Sequence, residues 1–319
     1  MEFFDGKTAL VAGGAGFIGQ HLCRALLNAG ARVHVVDNFS TGTGHVPDGV
    51  TVDRQDVSII RDFRAADVIF NLASPASPIH YQADPIQTWK TNVLGAMHLL
   101  EHAMACKATL VQASTSEVYG DPLAHPQVET DWGNVNPIGP RACYDESKRA
   151  AESLLMDAVR TQNADIRIAR IFNTYGPGME IEDGRAVPNF MAQAKAGQVM
   201  TVHGDGTQTR SFCYVDDTVQ GLMRLGAIDA ARGEVFNIGN PNEISVAELA
   251  DQINQACGNK SRVEFTQRPI DDPTRRCPNI AKAKQLLGWE PTIGLADGLG
   301  RTLGSGPIDP KVSDLFHLA

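Results

Sequence analysis

Short apolar segments alternate with longer amphipathic segments through the first half of the chain. The short segments are rich in β-branched residues and apolar on both faces, as in strands that are covered on both sides of a sheet. Such strands are predicted at residues 8–12, 32–37, 67–72, 109–113 and 166–172. The longer segments have helical periodicity and predict helices at residues 17–28, 85–105 and 144–161. The alternation predicts an α/β fold with a doubly wound parallel (Rossmann) sheet.

The second half of the chain has a different pattern. After about Tyr175 the alternation gives way to loops rich in Gly and Pro, with isolated helices at residues 245–256 and 281–287 and short strands such as 235–238. We expect a smaller α+β lobe that binds substrate, with a cleft above the carboxyl ends of the strands. The predicted division is a first domain at residues 1–175, the smaller lobe at 176–304 and a peripheral tail at 305–319. A segment near 210–240 is expected to return to the first domain.

Composition and charge narrow the class of protein. The 319 residues include 43% hydrophobic and 20% charged residues, as in ordinary globular domains. A net charge of −9 argues against a nucleic-acid partner, although a few arginines in one cleft still suit a small anion. We expect no membrane segment and no signal peptide, because no apolar run of the required length and no basic start occur. Six scattered cysteines without a Cys-x-x-Cys pair predict reduced thiols, a cytoplasmic protein and no metal site.

A glycine-rich turn joins the first predicted strand to the first helix. Gly13, Gly16 and Gly19 are spaced as G-x-x-G-x-x-G, which lets backbone N–H groups approach a pyrophosphate at the start of a helix. Asp37 ends the second strand, where a carboxylate can bind an adenosine ribose and would repel a 2′-phosphate. The pattern favours NAD over NADP, the alternative being a structural turn followed by a surface aspartate. Other residues expected at the cofactor are Phe17, Ile18, Asn38, Asp56, Val57 and Leu72.

A Tyr-x-x-x-Lys pair lies on the predicted helix at 144–161. Tyr144 and Lys148 are four residues apart and share one helix face. A tyrosine is a poor base at neutral pH, but a neighbouring ammonium and an oxidised nicotinamide both favour the phenolate. Tyr144 could then take a proton from a sugar hydroxyl, and Thr115, at the end of a strand, could bind the same oxygen. By itself the pair also fits an ordinary amphipathic helix.

Irregular loop motifs give the chain a family resemblance. Together with the glycine turn and Tyr-x-x-x-Lys, they resemble extended short-chain dehydrogenases/reductases that act on nucleotide sugars, and more closely the UDP-glucuronate decarboxylases (UDP-xylose synthases). The motifs lie at residues 72–78, 114–122, 125–127, 132–146, 169–173, 183–185, 208–210 and 286–291. Two positions depart from the family pattern: Ala12 replaces a threonine, and Cys277 replaces a residue that is commonly basic.

The resemblance implies a reaction. Tyr144 would deprotonate the C4 hydroxyl while NAD takes the C4 hydride, the 4-keto acid would lose CO₂, and retained NADH would reduce the ketone to give UDP-xylose. Glu117 and Arg276 would lie near the carboxyl-bearing carbon. Ser116 stands where related 4,6-dehydratases have an aspartate that protonates the departing hydroxyl, so it disfavours loss of water. A UDP-glucuronate 4-epimerase, another nucleotide-sugar epimerase or dehydratase, and a silent NAD-binding sensor remain alternatives.

The resemblance also implies a substrate pocket and a homodimer. Guanidinium groups suit both the diphosphate and the sugar carboxylate, although each arginine alone could be a solvated surface residue. A UDP-sugar would contact Pro75, Ser77, Tyr81, Asn173, Arg185, Asn189, Arg210 and Arg276. The helices at 85–105 and 144–161 would form the dimer interface.

Overall fold

A computed structural model of the chain describes residues 2–41, 44–180, 184–258, 260–267 and 272–304. The predicted tail at 305–319 lies outside the described residues. Among the described helices, none combines the length and the apolar character needed to cross a bilayer.

The described residues form fourteen β-strands and ten α-helices. The strands are β1 Thr8–Ala12, β2 Arg32–Asp37, β3 Thr51–Arg54, β4 Val68–Asn71, β5 Thr109–Thr115, β6 Ile166–Ile171, β7 Thr174–Tyr175, β8 Met200–His203, β9 Thr209–Ser211, β10 Cys213–Tyr214, β11 Val235–Ile238, β12 Glu243–Ser245, β13 Val263–Thr266 and β14 Arg275–Arg276. The α-helices are α1 Phe17–Asn28, α2 Pro78–Ala83, α3 Pro85–Trp89, α4 Gly95–Cys106, α5 Ala142–Gln162, α6 Ala186–Lys195, α7 Val215–Ala227, α8 Val246–Ala256, α9 Ala281–Leu287 and α10 Leu295–Gly304.

The main sheet has seven strands in the order β11-β6-β5-β4-β1-β2-β3. Every pairing in it is parallel, and β4 and β5 bury side chains on both faces. The predicted doubly wound fold is therefore confirmed. Strand β11, from the second half of the sequence, lies beside β6, so the chain returns to the main sheet after β10.

The predicted helix at 85–105 is confirmed as one continuous helical segment, which contains a π-helical turn that the sequence does not predict. The structure has α3, then a π-helical turn at Lys90–Leu94, then α4. The turn places Asn92 inside the protein, where its side-chain amide donates a hydrogen bond to the Ser147 hydroxyl on α5 at 2.8 Å. Gly95 then lets α4 pack closely, because a Cβ there would lie 2.7 Å from a methyl carbon of Val57. Apolar periodicity does not distinguish such a turn from a continuous helix.

The smaller lobe is built around two short sheets. One has the order β12-β9-β14, and the other pairs β13 with β8. Helix α8 begins with a capping box between Ser245 and Glu248 and packs against α6. In the three-stranded sheet, Arg276 of β14 is in register with Arg210 of β9, so the fold brings two arginines 66 positions apart to neighbouring strands.

Candidate active site

The glycine turn after β1 forms a tight backbone cradle. Gly13 has φ +79°, and a Cβ there would lie 2.6 Å from the Ala73 nitrogen and the Leu72 carbonyl carbon, at the end of β4. A Cβ on Gly19 would lie 2.2 Å from the Gly13 carbonyl oxygen. Gly16 is the N-cap of α1, so Phe17 and Ile18 are in the first helical turn with its unpaired N–H groups. The cradle suits an anionic group at the positive end of a helix.

Asp37 joins the end of β2 to this cradle. One carboxylate oxygen accepts a hydrogen bond from the Ala15 N–H at 2.9 Å, and the other accepts one from the Phe39 N–H at 2.8 Å. Each oxygen has a second lone pair available for a ligand hydroxyl. Asp37 therefore shapes the glycine turn in addition to the ribose contact that the sequence predicts.

Asp56 is the centre of a polar network beyond β3. It accepts hydrogen bonds from the side chains of Asn38 at 3.0 Å, Gln87 at 3.1 Å and Ser58 at 2.7 Å. Burial acts to raise the pKa of Asp56, but these hydrogen bonds outweigh it and hold the pKa below its usual value. Val57 is buried next to this network. The predicted residues Asn38, Asp56 and Val57 thus form one wall next to the end of β2.

Tyr144 and Lys148 are both buried on the inner face of α5. The Lys148 Nζ lies 5.9 Å from the Tyr144 ring centroid and donates to the Ala113 carbonyl at 3.0 Å. Burial raises the pKa of Tyr144 to about 12, partly opposed by a hydrogen bond with Thr115 and the charge of Arg185. Burial lowers the pKa of Lys148 to about 8, partly opposed by Glu152 one helical turn further on. The pair therefore includes a cation that titrates near neutral pH.

Thr115 and Ser116 lie where β5 ends against α5. Thr115 is the last residue of β5, and its hydroxyl accepts a hydrogen bond from the Glu117 N–H at 3.2 Å. Ser116 begins a 3-10 turn at Ser116–Tyr119 and is buried. These contacts bring the predicted Thr115, Ser116 and Tyr144 together at the carboxyl end of the sheet.

Glu117 is bound by two buried arginines. Its carboxylate oxygens accept hydrogen bonds from Arg141 at 2.8 Å and from Arg276 at 2.6 Å. Burial acts to raise the pKa of Glu117, but the charges of Arg276, Arg141 and Arg210 outweigh it and keep the pKa below its usual value. Glu117 is therefore an anion held between two cations, and this cluster is where a second carboxylate could be bound.

Arg210 is bound by the smaller lobe. It donates to Asp272 at 2.9 Å and to the carbonyls of Thr209 and Thr274, and Asp272 also lies 3.8 Å from Arg141. Burial, followed by the charge of Arg276, lowers the pKa of Arg210 to about 10. It remains a cation at neutral pH and extends the positive side of the cluster.

Asp145, next to the predicted base, carries a buried carboxylate oxygen for which the described residues offer no hydrogen-bond partner. Burial and the charge of Glu117 raise the pKa of Asp145 to about 7, against the opposing charges of Arg141 and Arg276. Its charge state is thus linked to that of Glu117.

Among the predicted sugar-pocket residues, Tyr81 lies against the predicted base, and its ring stacks on Tyr144 with centroids 5.0 Å apart. The hydroxyl of Ser77 caps α2 and lies 3.0 Å from His80 Nδ1, and Pro75 precedes it in the same loop. A Cβ on Gly184 would lie 2.9 Å from Ile79 of α2, so the segment leading to Arg185 adjoins this loop. Asn189 follows one turn into α6, its N–H bonded to the Arg185 carbonyl.

Asn173 lies between β6 and β7, and its carbonyl accepts the Cys213 N–H at 2.8 Å.

Three acidic or basic groups of the site were not among the predicted site residues: Arg141, Asp145 and Asp272. Arg141 and Asp145 flank Tyr144 in sequence, so proximity to the base was an available signal. Asp272 is linked to the site only by the fold.

The chain is similar in sequence and in fold to known proteins. Residues 9–239 match the model of the NAD dependent epimerase/dehydratase family. UDP-glucuronic acid decarboxylase 2 of Arabidopsis thaliana is 50% identical over 300 residues, which cover 92% of this chain and 67% of that protein. UDP-glucuronic acid decarboxylase 6 of the same plant is 50% identical over 308 residues, covering 93% and 88%. The structure of UDP-glucose 4-epimerase from Thermotoga maritima with UDP-glucose superposes with a TM-score of 0.86 at 28% identity, covering 93% and 97%.

Proposed function

Because this chain belongs to the NAD-dependent epimerase/dehydratase family, we propose that its site decarboxylates UDP-glucuronate to UDP-xylose. The observation that carries the proposal is the juxtaposition of a Thr115–Tyr144–Lys148 set with the Glu117–Arg141–Arg276 cluster. The first set handles the proton of a sugar hydroxyl, and the second suits a carboxylate. Relatives that are half identical in sequence are UDP-glucuronic acid decarboxylases, which supports the same activity here.

The cradle and its surroundings fit NAD. Gly13 and Gly19 leave space that a Cβ would fill, and the start of α1 offers N–H groups to a pyrophosphate. When bound, NAD supplies a positively charged hydride acceptor and, after reduction, a hydride donor. Asp37 would accept hydrogen bonds from the adenosine ribose, and Lys148 would hold a nearby hydroxyl.

In the first step, Tyr144 removes the proton of the C4 hydroxyl. Burial raises the pKa of Tyr144 to about 12, so the phenol is neutral until a positive charge beside it favours the phenolate. The ammonium of Lys148 favours the phenolate, and Thr115 holds the reacting oxygen by a hydrogen bond. The C4 hydride would pass to bound NAD as the proton leaves, so the product at this stage is a 4-keto uronic acid with the proton on Tyr144.

In the second step, the bond between C5 and the carboxyl carbon breaks. Its electron pair moves toward C5 and the C4 ketone, so CO₂ leaves and an enolate remains. Negative charge thereby moves from the carboxyl end, beside Glu117 and Arg276, to the C4 oxygen, beside Thr115, Tyr144 and Lys148. The anionic Glu117 disfavours a second carboxylate next to it, and departure of neutral CO₂ relieves this repulsion. C5 then takes a proton from water, Tyr144 returns its proton to the C4 oxygen, and the hydride would return from bound NADH to C4 to give UDP-xylose.

Product analysis tests the proposed function directly. Purified protein is incubated with UDP-glucuronate and NAD, and the nucleotide sugars are identified by mass spectrometry and proton NMR. We expect loss of CO₂ and a UDP-pentose with the xylose configuration. A product that keeps its carboxylate and is inverted at C4 would instead identify an epimerase, and binding of NAD without turnover would identify a sensor.

The charge of Lys148 gives the reaction an alkaline limit. Since burial lowers the pKa of Lys148 to about 8, kcat/KM is expected to fall as the pH rises through about 8, where the ammonium that stabilises the phenolate is lost. In Lys148→Arg the guanidinium stays charged throughout the accessible range. We expect a lower maximal kcat/KM but no decline between pH 7 and pH 9. Equal alkaline limits in pH profiles of the two proteins would contradict this role.

Asp37 is expected to determine the choice of cofactor. Its carboxylate repels a 2′-phosphate, so NADP should bind at least about tenfold more weakly than NAD, a difference of about 1.4 kcal/mol. Asp37→Ser removes the charge and keeps an oxygen for the Ala15 or Phe39 N–H. Dissociation constants for both cofactors should converge in this variant. They should not converge in the control Asp53→Asn, on neighbouring β3, and equal affinities in the unmodified protein would refute the role.

We also propose a homodimer and a cytoplasmic location. Ile86, Trp89 and Leu94 expose apolar surface on α3 and the π turn, next to α5. Six free cysteines are in keeping with a reducing compartment. Light scattering tests the dimer, and Leu94→Asp should shift it toward monomer.

A further inference from the structure

Three metal-binding side chains from distant parts of the sequence meet outside the active site. His125 comes from the loop that precedes α5, Glu243 begins β12, and Cys277 directly follows β14. Their ligand atoms all lie within 4.8 Å of one another. The imidazole Nε2 of His125 is 3.0 Å from a carboxylate oxygen of Glu243. The cluster therefore combines one nitrogen, one oxygen and one sulfur donor.

This donor set matches the preferences of zinc. Zn²⁺ is bound by His nitrogen, Cys sulfur and carboxylate oxygen, and open sites use three protein ligands plus water. Bond lengths of about 2.0 to 2.3 Å at tetrahedral angles place ligand atoms about 3.3 to 3.6 Å apart. Side-chain movements of about an ångström would bring the three ligand atoms from their present separations to these distances. From these positions the geometry points to a site for Zn²⁺, or a similar divalent transition metal, formed by His125, Glu243 and Cys277.

The protein holds the three ligands in place. The Cys277 N–H donates to the Gln127 side chain at 2.8 Å, and the Gln127 N–H donates to the Cys277 carbonyl at 2.9 Å. This pairing fixes Cys277 against the segment that carries His125. The Thr209 hydroxyl donates to the Glu243 oxygen that does not face His125. Such outer hydrogen bonds orient ligands in metal sites.

The cluster also has an entry path. His125 and Glu243 line a cavity of about 390 Å³, which offers room for a water ligand in the fourth position. The thiol of Cys277 now donates to the Pro241 carbonyl at 3.2 Å, and metal binding would replace this contact and release the thiol proton. The ion would be separate from the reacting groups.

Binding at this position would stabilise the sheet that carries two arginines of the active site. Cys277 adjoins Arg276, and the Glu243 partner Thr209 adjoins Arg210. One ion would link the loop before α5, β12 and the end of β14. We therefore expect metal binding to raise the thermal midpoint of unfolding.

The test uses the full chain freed of metal by a chelator, with Co²⁺ and Zn²⁺ as probes. We expect one Co²⁺ per chain with a thiolate-to-cobalt charge-transfer band, displacement of that band by Zn²⁺, and a higher thermal midpoint with Zn²⁺. Cys277→Ser should lose the band and at least tenfold in affinity. His125→Gln, which keeps the thiol, should also lose at least tenfold.

Cys106→Ser is the matched control, because the Cys106 thiol lies 3.5 Å from His102 and is a second thiol–imidazole pair. It should retain the band and the affinity of the unmodified protein. Absence of saturable binding at one ion per chain, or equal binding by Cys277→Ser and the unmodified protein, would overturn the site. A band that disappears in Cys106→Ser would assign the metal to the other pair and overturn it as well. None of these outcomes depends on the proposed decarboxylation.

Discussion

Tyr144→Phe is expected to lower turnover of UDP-glucuronate by about 10² to 10⁴, the range for loss of a positioned general base. The phenol is buried, stacks on Tyr81 and bonds to Thr115, so phenylalanine keeps its shape and loses only the hydroxyl. Without a base at C4, the ketone does not form, and the carboxylate is not activated for loss. Every later step is therefore lost together with the first.

The measurement separates chemistry from binding. Product formation and NAD affinity are determined for Tyr144→Phe and for Tyr175→Phe, which loses a buried hydroxyl bonded to the Leu295 carbonyl far along the chain. We expect Tyr144→Phe to bind NAD nearly normally while its rate of product formation falls by about 10² to 10⁴. Tyr175→Phe should lose about 1 kcal/mol of stability and keep its activity. Undiminished turnover by Tyr144→Phe would refute the base and favour another proton acceptor.

The sequence was most informative where local rules determine structure. Strand β1, the glycine turn and α1 begin and end at the predicted residues, because a buried apolar run, glycine spacing and helical periodicity all act within about 20 residues. The same holds for Tyr144 and Lys148, since a spacing of four residues on a helix places both on one face. Local rules predict the helix at 85–105 but not its π turn, where Asn92 packs against Ser147.

Local rules do not predict contacts between segments that are far apart in the sequence. Arg276 reaches Glu117 across 159 positions, and its register with Arg210 depends on the pairing of β14 with β9. The resemblance to a family named both arginines, but it did not reveal that Arg141 shares Glu117 or that Asp272 bridges Arg141 and Arg210. The cysteines are scattered along the sequence, and this scatter predicts reduced thiols and no metal site. The fold nonetheless places Cys277 beside His125 and Glu243.

Glu117→Gln is expected to slow decarboxylation far more than oxidation at C4. Glutamine keeps the volume of the side chain but leaves Arg141 and Arg276 without the anion that now binds both, at 2.8 and 2.6 Å. Removing one partner of a buried ion pair costs about 3 to 5 kcal/mol of the free energy of unfolding. Asp145 offsets part of this loss, because its pKa of about 7 is raised by burial and then by the charge of Glu117, and it would fall once that charge is gone.

The catalytic effect follows from where the charge moves. In Glu117→Gln the substrate carboxylate gains two guanidinium partners that Glu117 no longer neutralises and is stabilised before CO₂ leaves, so the barrier to its loss rises. Tyr144, Lys148 and Thr115 keep their side chains, and loss of the Glu117 charge removes one cause that raises the pKa of Tyr144, so the C4 hydride is still transferred. A loss of about 10² to 10³ in the rate of CO₂ release is expected, comparable to removal of one electrostatic group from an active site. NADH should therefore accumulate after the variant is mixed with UDP-glucuronate.

Rapid mixing distinguishes this role from a purely structural one. NADH absorbance follows oxidation at C4, and quenched samples follow UDP-xylose. Glu146→Gln is the control, because a Glu146 carboxylate oxygen forms an ion pair near the surface with the Arg149 Nε at 3.5 Å. This variant should change neither rate and should lose less than about 1 kcal/mol of stability. If Glu117→Gln slows NADH formation and UDP-xylose formation by the same factor, Glu117 serves the fold or the C4 chemistry. If NADH accumulates while CO₂ release lags, Glu117 acts at the carboxyl end, because only that bond responds to the two arginines it now neutralises.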